Sequence, residues 1–438
     1  MLPGACAIRG KPIHMKPTIY PNHRDPHRWL IFTFISLIYF FVYFHRVSTS
    51  VIVSDLLAAF DTTATALGVM SSMYFYIYAL DQPLVGYLAD RIGPRRVIAY
   101  WSMTAAAGCF IFGMAPSIGW ATLGRALIGF GVGGVYVPTV KALSQWFRPR
   151  EFATMVGLLM SVGNFGAVVA TTPLAWAAGN WGWRATFFLI GGITLAMAVA
   201  MLLVTRDASP TSSLSDAGEE TDDSHPTNLR DSLTAIVAAP QFWLVVTVFF
   251  GIYGTAVTLQ GLWATPFLMT VLDIERILAS QFNMLIPIGV IVGAPLFGWL
   301  PNRFALNKAV ALRTITGVYT LCWTAILVLY DNLGVFGYAL VFCIMGIMIG
   351  GFISTIWGII QETTPSKRLG LTSGVLNPAP FLGVAAYQVL TGHILDRAGR
   401  IGEHYPLAGY QSAFSVCLAG AVICLLLSMF IKAKPTDK

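Results

Sequence analysis

Twelve long apolar runs, separated by short polar stretches, occupy most of this chain of 438 residues. Each run can cross a hydrocarbon layer about 30 Å thick as a helix that rises about 1.5 Å per residue. The runs of the first half are Trp29–Asp55, Leu67–Leu88, Val97–Met114, Ala121–Leu143, Ala153–Ala178 and Thr186–Thr205. The runs of the second half are Phe242–Val271, Ala279–Leu300, Ala309–Tyr330, Phe336–Ile360, Leu371–Leu395 and Ser412–Ile431. The pattern predicts an all-α membrane protein with twelve transmembrane helices.

The polar stretches divide the chain into two halves. We expect a cytoplasmic tail at residues 1–28, a six-helix bundle at 29–205, a cytoplasmic linker at 206–235, a second six-helix bundle at 236–432 and a short tail at 433–438. The linker is rich in Ser, Thr and Asp and has no apolar periodicity, so we expect it to be flexible and solvated. The first tail is basic and has no apolar core, which argues against a cleavable signal peptide.

The two halves also repeat each other. The stretch Gly86-Tyr-Leu-Ala-Asp-Arg91 recurs 212 positions later as Gly298-Trp-Leu-Pro-Asn-Arg303, with Asn302 in place of the acid. Gly133-Gly134 recurs at Gly350-Gly351. A nearly constant offset implies two six-helix bundles related by a pseudo-two-fold axis along the membrane normal. In such an arrangement the substrate site lies between the bundles, near the middle of the membrane.

Composition and charge agree with this architecture. The chain is 56% apolar and only 11% charged, with a mean hydropathy of +0.70. A net charge of +7 is compatible with nucleic-acid binding, but its placement favours a membrane protein. Most Lys and Arg residues lie in stretches that the positive-inside rule assigns to the cytoplasm. We therefore expect the lipid bilayer as partner, no nucleic acid, and both termini in the cytoplasm. A bacterial cytoplasmic (inner) membrane is the expected location.

The loop between the second and third runs carries a specific signal. Its sequence resembles the G-x-L-A-D-R-x-G-x-R-R loop of the major facilitator superfamily of secondary transporters, except at Pro94. The resemblance implies the major facilitator fold, with alternating access by rocking of two bundles. It also implies a gating role for this loop, whose matching residues are Gly86, Asp90, Arg91, Gly93, Arg95 and Arg96.

The first run contains His45-Arg46, an ionisable pair that is costly inside lipid and so a functional candidate. A permanently charged guanidinium there suits capture of a carboxylate or another oxyanion. The organic anion symporters of the superfamily have Asp-Arg at the matching place, so the segment resembles theirs with His45 for Asp. The alternatives are an arginine with a structural role and a packed histidine. His45 is also a candidate proton carrier.

Two further buried charges lie in the first half. Arg125 matches an arginine of the superfamily's fourth helix that is linked in the family to proton coupling; it is a substrate-site candidate, and bracing of the first helix is the alternative. Asp81 is a deeply placed carboxyl group and a candidate proton site. Its alternative is a structural pairing with Lys141 or with basic loop residues.

The second half offers neutral polar and aromatic candidates for the substrate site, namely Gln260, Trp357 and Asn377. The fifth run lacks the Gly-Pro of drug antiporters, which weakens the efflux hypothesis. The six cysteines have no metal-binding spacing, and no phosphate loop accompanies the runs, so we expect no metal and no cofactor.

These observations favour proton-coupled uptake of a small organic anion by a monomeric secondary transporter. The proton is the expected coupling ion. The alternatives are efflux of drugs or metabolites by proton antiport, and a non-transporting membrane sensor of the same fold. No catalytic constellation is present in the sequence, so we do not expect an enzyme.

Overall fold

A computed structural model describes residues 27–206, 229–304, 306–400 and 405–433. Within these ranges the chain is helical and contains no strand. Most of the predicted tails, and the predicted linker from 207 to 228, lie outside the described residues.

The helices of the first half are α1 His27–Val47, α2 Val53–Phe60, α3 Ala64–Ile92, α4 Pro94–Met114, α5 Ile118–Gly133, α6 Tyr136–Trp146, α7 Pro149–Val169, α8 Thr172–Trp181 and α9 Trp183–Val204. Those of the second half are α10 Leu229–Val237, α11 Pro240–Thr258, α12 Ala264–Leu272, α13 Arg276–Phe304, α14 Lys308–Val328, α15 Gly334–Thr363, α16 Ser366–Leu376, α17 Pro378–Ala398 and α18 Leu407–Ser428. The short helix α10 falls in the last part of the predicted linker.

Several predicted spans are interrupted helices rather than continuous ones. The first span consists of α1 and α2, joined by a 3₁₀ turn at Ser50–Ile52, and α5 and α6 are separated at Gly134. Between α11 and α12 the helix widens into a single turn with i→i+5 hydrogen bonding, Leu259–Trp263. Such wide turns are frequent at functional sites.

Among the described residues, eleven helical segments are long and apolar enough to cross a membrane. The long helix outside this set is α3, which has 29 residues but carries Asp81, Asp90 and Arg91. Twelve spans require that α3 also crosses the membrane, and this stays a prediction.

The helices pack as two bundles. In the first half α4 packs on α5 and α9, and α1 packs on α7; in the second half α13 packs on α15, and α14 packs on α15 and α18. Across the halves, α3 lies along α17, and α13 contacts α7 and α8. We call the face at which α1 begins the near face, and the opposite one the far face.

Helices α3 and α17 run antiparallel to each other and end alike. The last residues of α3 are Asp90-Arg91-Ile92 before Gly93, and those of α17 are Asp396-Arg397-Ala398 before Gly399. The two glycines have φ values of 86° and 78°, a backbone conformation that favours glycine. The same Asp-Arg-x-Gly end therefore stands at the near face on α3 and at the far face on α17.

Hydrogen bonds between the halves concentrate towards the far face. The carboxylate of Asp396 accepts from the backbone N–H groups of Ala64 and Thr65, each at 2.8 Å, and from the Thr65 hydroxyl. Arg276 pairs with Asp55, and Arg400 pairs with Asp61 at 3.2 Å. These contacts tie the ends of the second half's helices to the first half and close the far face.

Candidate functional site

The guanidinium of Arg46 lies in the last turn of α1, where the two halves meet. Arg46 is 7% exposed and donates a hydrogen bond of 3.1 Å to the hydroxyl of Tyr253 on α11. Its central carbon lies 4.3 Å from the ring centroid of Tyr43, 5.2 Å from that of Phe381 on α17 and 5.5 Å from that of Tyr78 on α3. Four helices thus contribute to one aromatic enclosure around a single cation, here called the aromatic cage (Tyr43, Tyr78, Tyr253 and Phe381).

The side chains that enclose Arg46 are all neutral. Among the described residues, no carboxylate forms an ion pair with it, and its Nε is buried without a hydrogen-bond partner. Aromatic faces attract a cation through the ring quadrupole but do not cancel its charge. A buried guanidinium with an unpaired Nε–H is suited to bind a carboxylate, sulfonate or phosphate group.

A close contact between helices places the main chain of Arg46. A Cβ atom at Gly261, in the wide turn between α11 and α12, would lie 2.5 Å from the carbonyl oxygen of Arg46. Only glycine allows this approach without displacement of one backbone. The wide turn of the second half therefore packs directly on the end of α1.

Arg125 supports α1 from within the first half. Its side chain is fully buried, and both terminal nitrogens donate to the carbonyl oxygen of His45 at 3.1 Å. Its central carbon also lies 5.0 Å from the ring centroid of Tyr74. This geometry agrees with the bracing alternative, because the carbonyl that Arg125 holds belongs to the residue directly before Arg46.

We expect Arg125→Lys to lower both stability and the affinity for the anion that the sequence predicts as substrate, because one ammonium cannot reproduce two converging hydrogen bonds to one carbonyl. Loss of a charge-assisted hydrogen bond should lower the free energy of unfolding by about 1.5–3 kcal/mol. Thermal unfolding and binding assays on the purified variant would measure the two effects.

The matched control is Arg184→Lys. Arg184 donates to two backbone carbonyls, those of Gly113 and Ala115, at 3.1 and 2.8 Å. This variant should lose stability yet keep its anion affinity. Unchanged affinity in Arg125→Lys would show that Arg125 does not position Arg46.

His45 and Asp81, the two predicted proton carriers, lie apart from the aromatic cage. His45 is fully buried; its Nε2 lies 3.7 Å from Sγ of Cys109, and its ring lies among phenylalanines that include Phe187. Asp81 accepts a 2.7 Å hydrogen bond from the indole N–H of Trp101, inside the first half. Neither side chain contacts Arg46.

The neutral candidates of the second half lie at different places. Gln260 belongs to the wide turn beside Arg46, and its backbone carbonyl accepts a 3.0 Å hydrogen bond from Asn283. Asn377, between α16 and α17, lies 3.5 Å from the amide oxygen of Gln82 on α3. Trp357 packs on Phe249, with ring centroids 6.2 Å apart. Gln260 and Asn377 thus lie at the junction of the halves.

The predicted gating loop lies at the near face. Lys141 donates to the carboxylate of Asp90 at 2.6 Å and to the carbonyl of Ala89 at 3.0 Å. The structural alternative in which Asp81 pairs with Lys141 is therefore wrong, because Lys141 pairs with Asp90. Arg95 donates to the carbonyl of Leu202 at 2.6 Å, whereas Arg96 is exposed. Among the described residues, no group of three His, Cys, Asp or Glu side chains is placed to hold a metal ion.

The members of the aromatic cage were not among the site residues predicted from the sequence. Tyr43 precedes Arg46 by three residues, so the two share a helix face, and that spacing was the available signal. Tyr253 and Phe381 lie in the second half and carry no local mark. Their side chains reach Arg46 through the packing of the two halves across the junction.

Comparison with known proteins places this chain in a family. The sequence model of the Major Facilitator Superfamily matches residues 35–386. A Cupriavidus necator protein named "Probable sulfoacetate transporter SauU" is 23% identical over 393 residues, which cover 87% of this chain and 90% of that protein. The D-galactonate transporter of Escherichia coli is 26% identical, with 91% and 95% covered. The hexuronate transporter of E. coli is 22% identical, with 78% and 83% covered.

Solved structures share the fold. A bacterial homologue of the human lysosomal transporter Spinster, inward-facing and unoccupied, superimposes with a TM-score of 0.74 at 18% identity, covering 94% of this chain and 99% of the other. The D-xylose–proton symporter gives a TM-score of 0.69 at 13% identity, with coverage of 94% and 99%.

Proposed function

This chain belongs to the major facilitator superfamily, and from that premise we propose that it is a secondary transporter of small organic anions. Arg46 is the anchor that receives the acid group. The observation that carries the proposal is the burial of the Arg46 guanidinium at the junction of the halves. Arg46 is 7% exposed and is enclosed by neutral aromatic side chains.

The names of similar proteins support an anionic substrate. Sulfoacetate, D-galactonate and hexuronate carry sulfonate or carboxylate groups, and three relatives are named for their transport. These groups share a delocalised negative charge on several oxygens, which is what a guanidinium binds in bidentate fashion. The aromatic cage adds apolar surface for the carbon chain of such a substrate.

The proposed cycle is alternating access by rocking of the two bundles. Arg46 lies on the first bundle, while Tyr253 and Phe381 lie on the second, so closure of the bundles around the anion assembles the site. The near face would be cytoplasmic, because the short basic loop of Arg91, Arg95 and Arg96 lies there. Proton coupling through Asp81 and His45 stays a prediction.

A ligand series tests the anionic substrate class. We expect D-glucuronate, D-galactonate or sulfoacetate to raise the melting temperature of the purified protein, because ligand binding stabilises the folded state by mass action. At a hundred times the dissociation constant this effect is about 2.7 kcal/mol.

The control for the series is D-glucose, which matches D-glucuronate except for the carboxylate. It should leave the melting temperature unchanged. Equal stabilisation by glucose and glucuronate, or stabilisation by cationic compounds alone, would contradict the assignment.

A further inference from the structure

A cavity of about 220 Å³ lies at the near face of the second half. It is enclosed by the end of α10, the first turns of α11, the end of α15 and the short helix α16. None of the four residues of the aromatic cage lines it. The cavity is therefore separate from the site of Arg46 and needs its own explanation.

Two polar side chains line the cavity from one face of α16. Thr372 follows Arg368 by four residues, a spacing that places both on the same side of a helix. Thr372 is 6% exposed, and its hydroxyl has no hydrogen-bond partner among the described residues. Because buried polar groups are nearly always hydrogen-bonded, an unpaired hydroxyl on a cavity wall indicates a partner that enters from outside.

The guanidinium of Arg368 gives the cavity a positive charge. Arg368 is half-buried, and within the described ranges no carboxylate forms an ion pair with it. Glu362, the acid that lies closest to the lining residues in the sequence, pairs instead with Lys308 at 2.5 Å. An unpaired guanidinium beside a free hydroxyl is suited to bind a carboxylate.

The rest of the lining is largely apolar. Buried side chains of α10, α11 and α15 line the cavity, and Leu376 lies one further turn along the face of α16 that carries Thr372. The apolar lining residues are Ile236, Phe242, Val245, Ile360 and Leu376. A volume of about 220 Å³ is below the roughly 300–1,000 Å³ of pockets for drug-sized ligands, so a ligand here must be small.

We propose that this cavity is a second binding site, which takes a small amphiphilic anion such as a carboxylate with a short hydrocarbon chain. The acid group of the ligand binds Arg368 and the hydroxyl of Thr372. Its hydrocarbon chain packs on Val245, Ile360 and Leu376. The site thus differs from that of Arg46 in place and in the class of anion that it takes.

Ligand binding would join a short helix to its neighbours. Helix α16 has 11 residues and lies between Pro365 and Pro378, neither of which has a backbone N–H to continue a helical hydrogen-bond ladder. A ligand in the cavity contacts α10, α11, α15 and α16 at once. We therefore expect binding to suppress local opening of these near-face segments.

Hydrogen exchange measured by mass spectrometry tests the site and its ligand class. The purified protein in phosphatidylcholine nanodiscs receives octanoate, 1-octanol or acetate, which have the anion and the chain together, the chain alone and the anion alone. At ten times its dissociation constant, octanoate should slow amide exchange at 233–245 and 368–376 by about tenfold through mass action. The two partial probes at the same concentration should have little effect.

Several results of this experiment would contradict the proposal. Absence of protection by octanoate, or equal protection by 1-octanol, would overturn it. Loss of octanoate protection when phosphatidylglycerol replaces phosphatidylcholine would overturn it as well, because a lipid phosphate would then be the occupant. Arg46→Ala should keep the full protection by octanoate. If that variant loses it, octanoate binds at the proposed substrate site instead.

Two substitutions test the polar contacts. Arg368→Gln should weaken octanoate binding by about ten- to a hundredfold, whereas Arg303→Gln, at an exposed near-face arginine outside the lining, should not change it. Thr372→Val should raise the melting temperature of the ligand-free protein, because it removes an unpaired buried hydroxyl, and yet weaken octanoate binding. Unchanged octanoate affinity in either Arg368→Gln or Thr372→Val would show that the acid group is not bound as proposed.

Discussion

Arg46→Ala is expected to abolish anion binding, and Arg46→Lys to weaken it by about ten- to a hundredfold. The lysine keeps a positive charge but loses the planar fork that binds two oxygens at once. Loss of one charge-assisted contact costs about 1.5–3 kcal/mol of binding free energy. That cost corresponds to roughly a ten- to a hundredfold loss of affinity. Alanine loses both charge and fork, so the substrate's acid group would meet only the aromatic cage.

Binding of radiolabelled anion to purified protein would measure these losses, after thermal unfolding has shown that each variant is folded. The control is Arg303→Ala. Arg303 is exposed at the near-face end of α13, and its guanidinium lies 5.9 Å from the ring centroid of Phe304. Its loss should not change affinity. If Arg46→Ala binds the anion as tightly as the parent, the anchor role and the anionic substrate class are both wrong.

Asp396→Asn is expected to open the far face. The carboxylate caps the first turn of α3 from the opposite half, where unpaired N–H groups and the helix dipole favour negative charge. Tyr405 also donates to it at 2.7 Å. Burial, together with the hydrogen bond to Asp396, raises the pKa of the Tyr405 phenol, which therefore stays a donor. Loss of about 1.4 kcal/mol from these contacts would shift the balance between closed and open far faces tenfold.

Spin labels at Ser117 and Asn332, exposed far-face residues of the first and second halves, would report this shift. The distance between the two labels is measured by pulsed electron–electron double resonance. Asp61→Asn is the matched control, because Asp61 pairs with Arg400 at 3.2 Å but its side chain is 93% exposed. An exposed pair contributes about 0–1 kcal/mol, so the control should move the distances little. If Asp396→Asn gives the same distance distribution as the parent, Asp396 does not hold the far face closed.

Much of the fold was predictable because long apolar runs are a strong signal over many residues. The breaks within the spans were not, since the interruptions after Val47 and Gly133 depend on a few residues of backbone geometry. The wide turn at Leu259–Trp263 packs closely on the main chain of Arg46, a contact that no hydropathy pattern records.

The candidate site could be predicted from the sequence only where a charged residue lies among apolar ones. Arg46 was singled out on that ground, whereas Tyr253 and Phe381 resemble the many other aromatic residues of membrane helices. Asp396 was overlooked for another reason. Its Asp-Arg-x-Gly end repeats that of Asp90 at a distance of 306 residues. Because the other repeats have offsets of 212 to 217 residues, a comparison of the two halves at those offsets does not align Asp396 with Asp90.

The shared ending of α3 and α17 has a consequence for kinetics. In the structure the far-face Asp396 holds four hydrogen-bond donors, whereas the Asp90 carboxylate at the near face pairs with Lys141. Turnover of a two-state cycle is limited by its slower opening step. Asp90 and Lys141 both lie in the first half, so their pair does not join the halves. We therefore expect the dwell time of the closed far face to be set by Asp396, and that of the other state to be set by contacts other than Asp90.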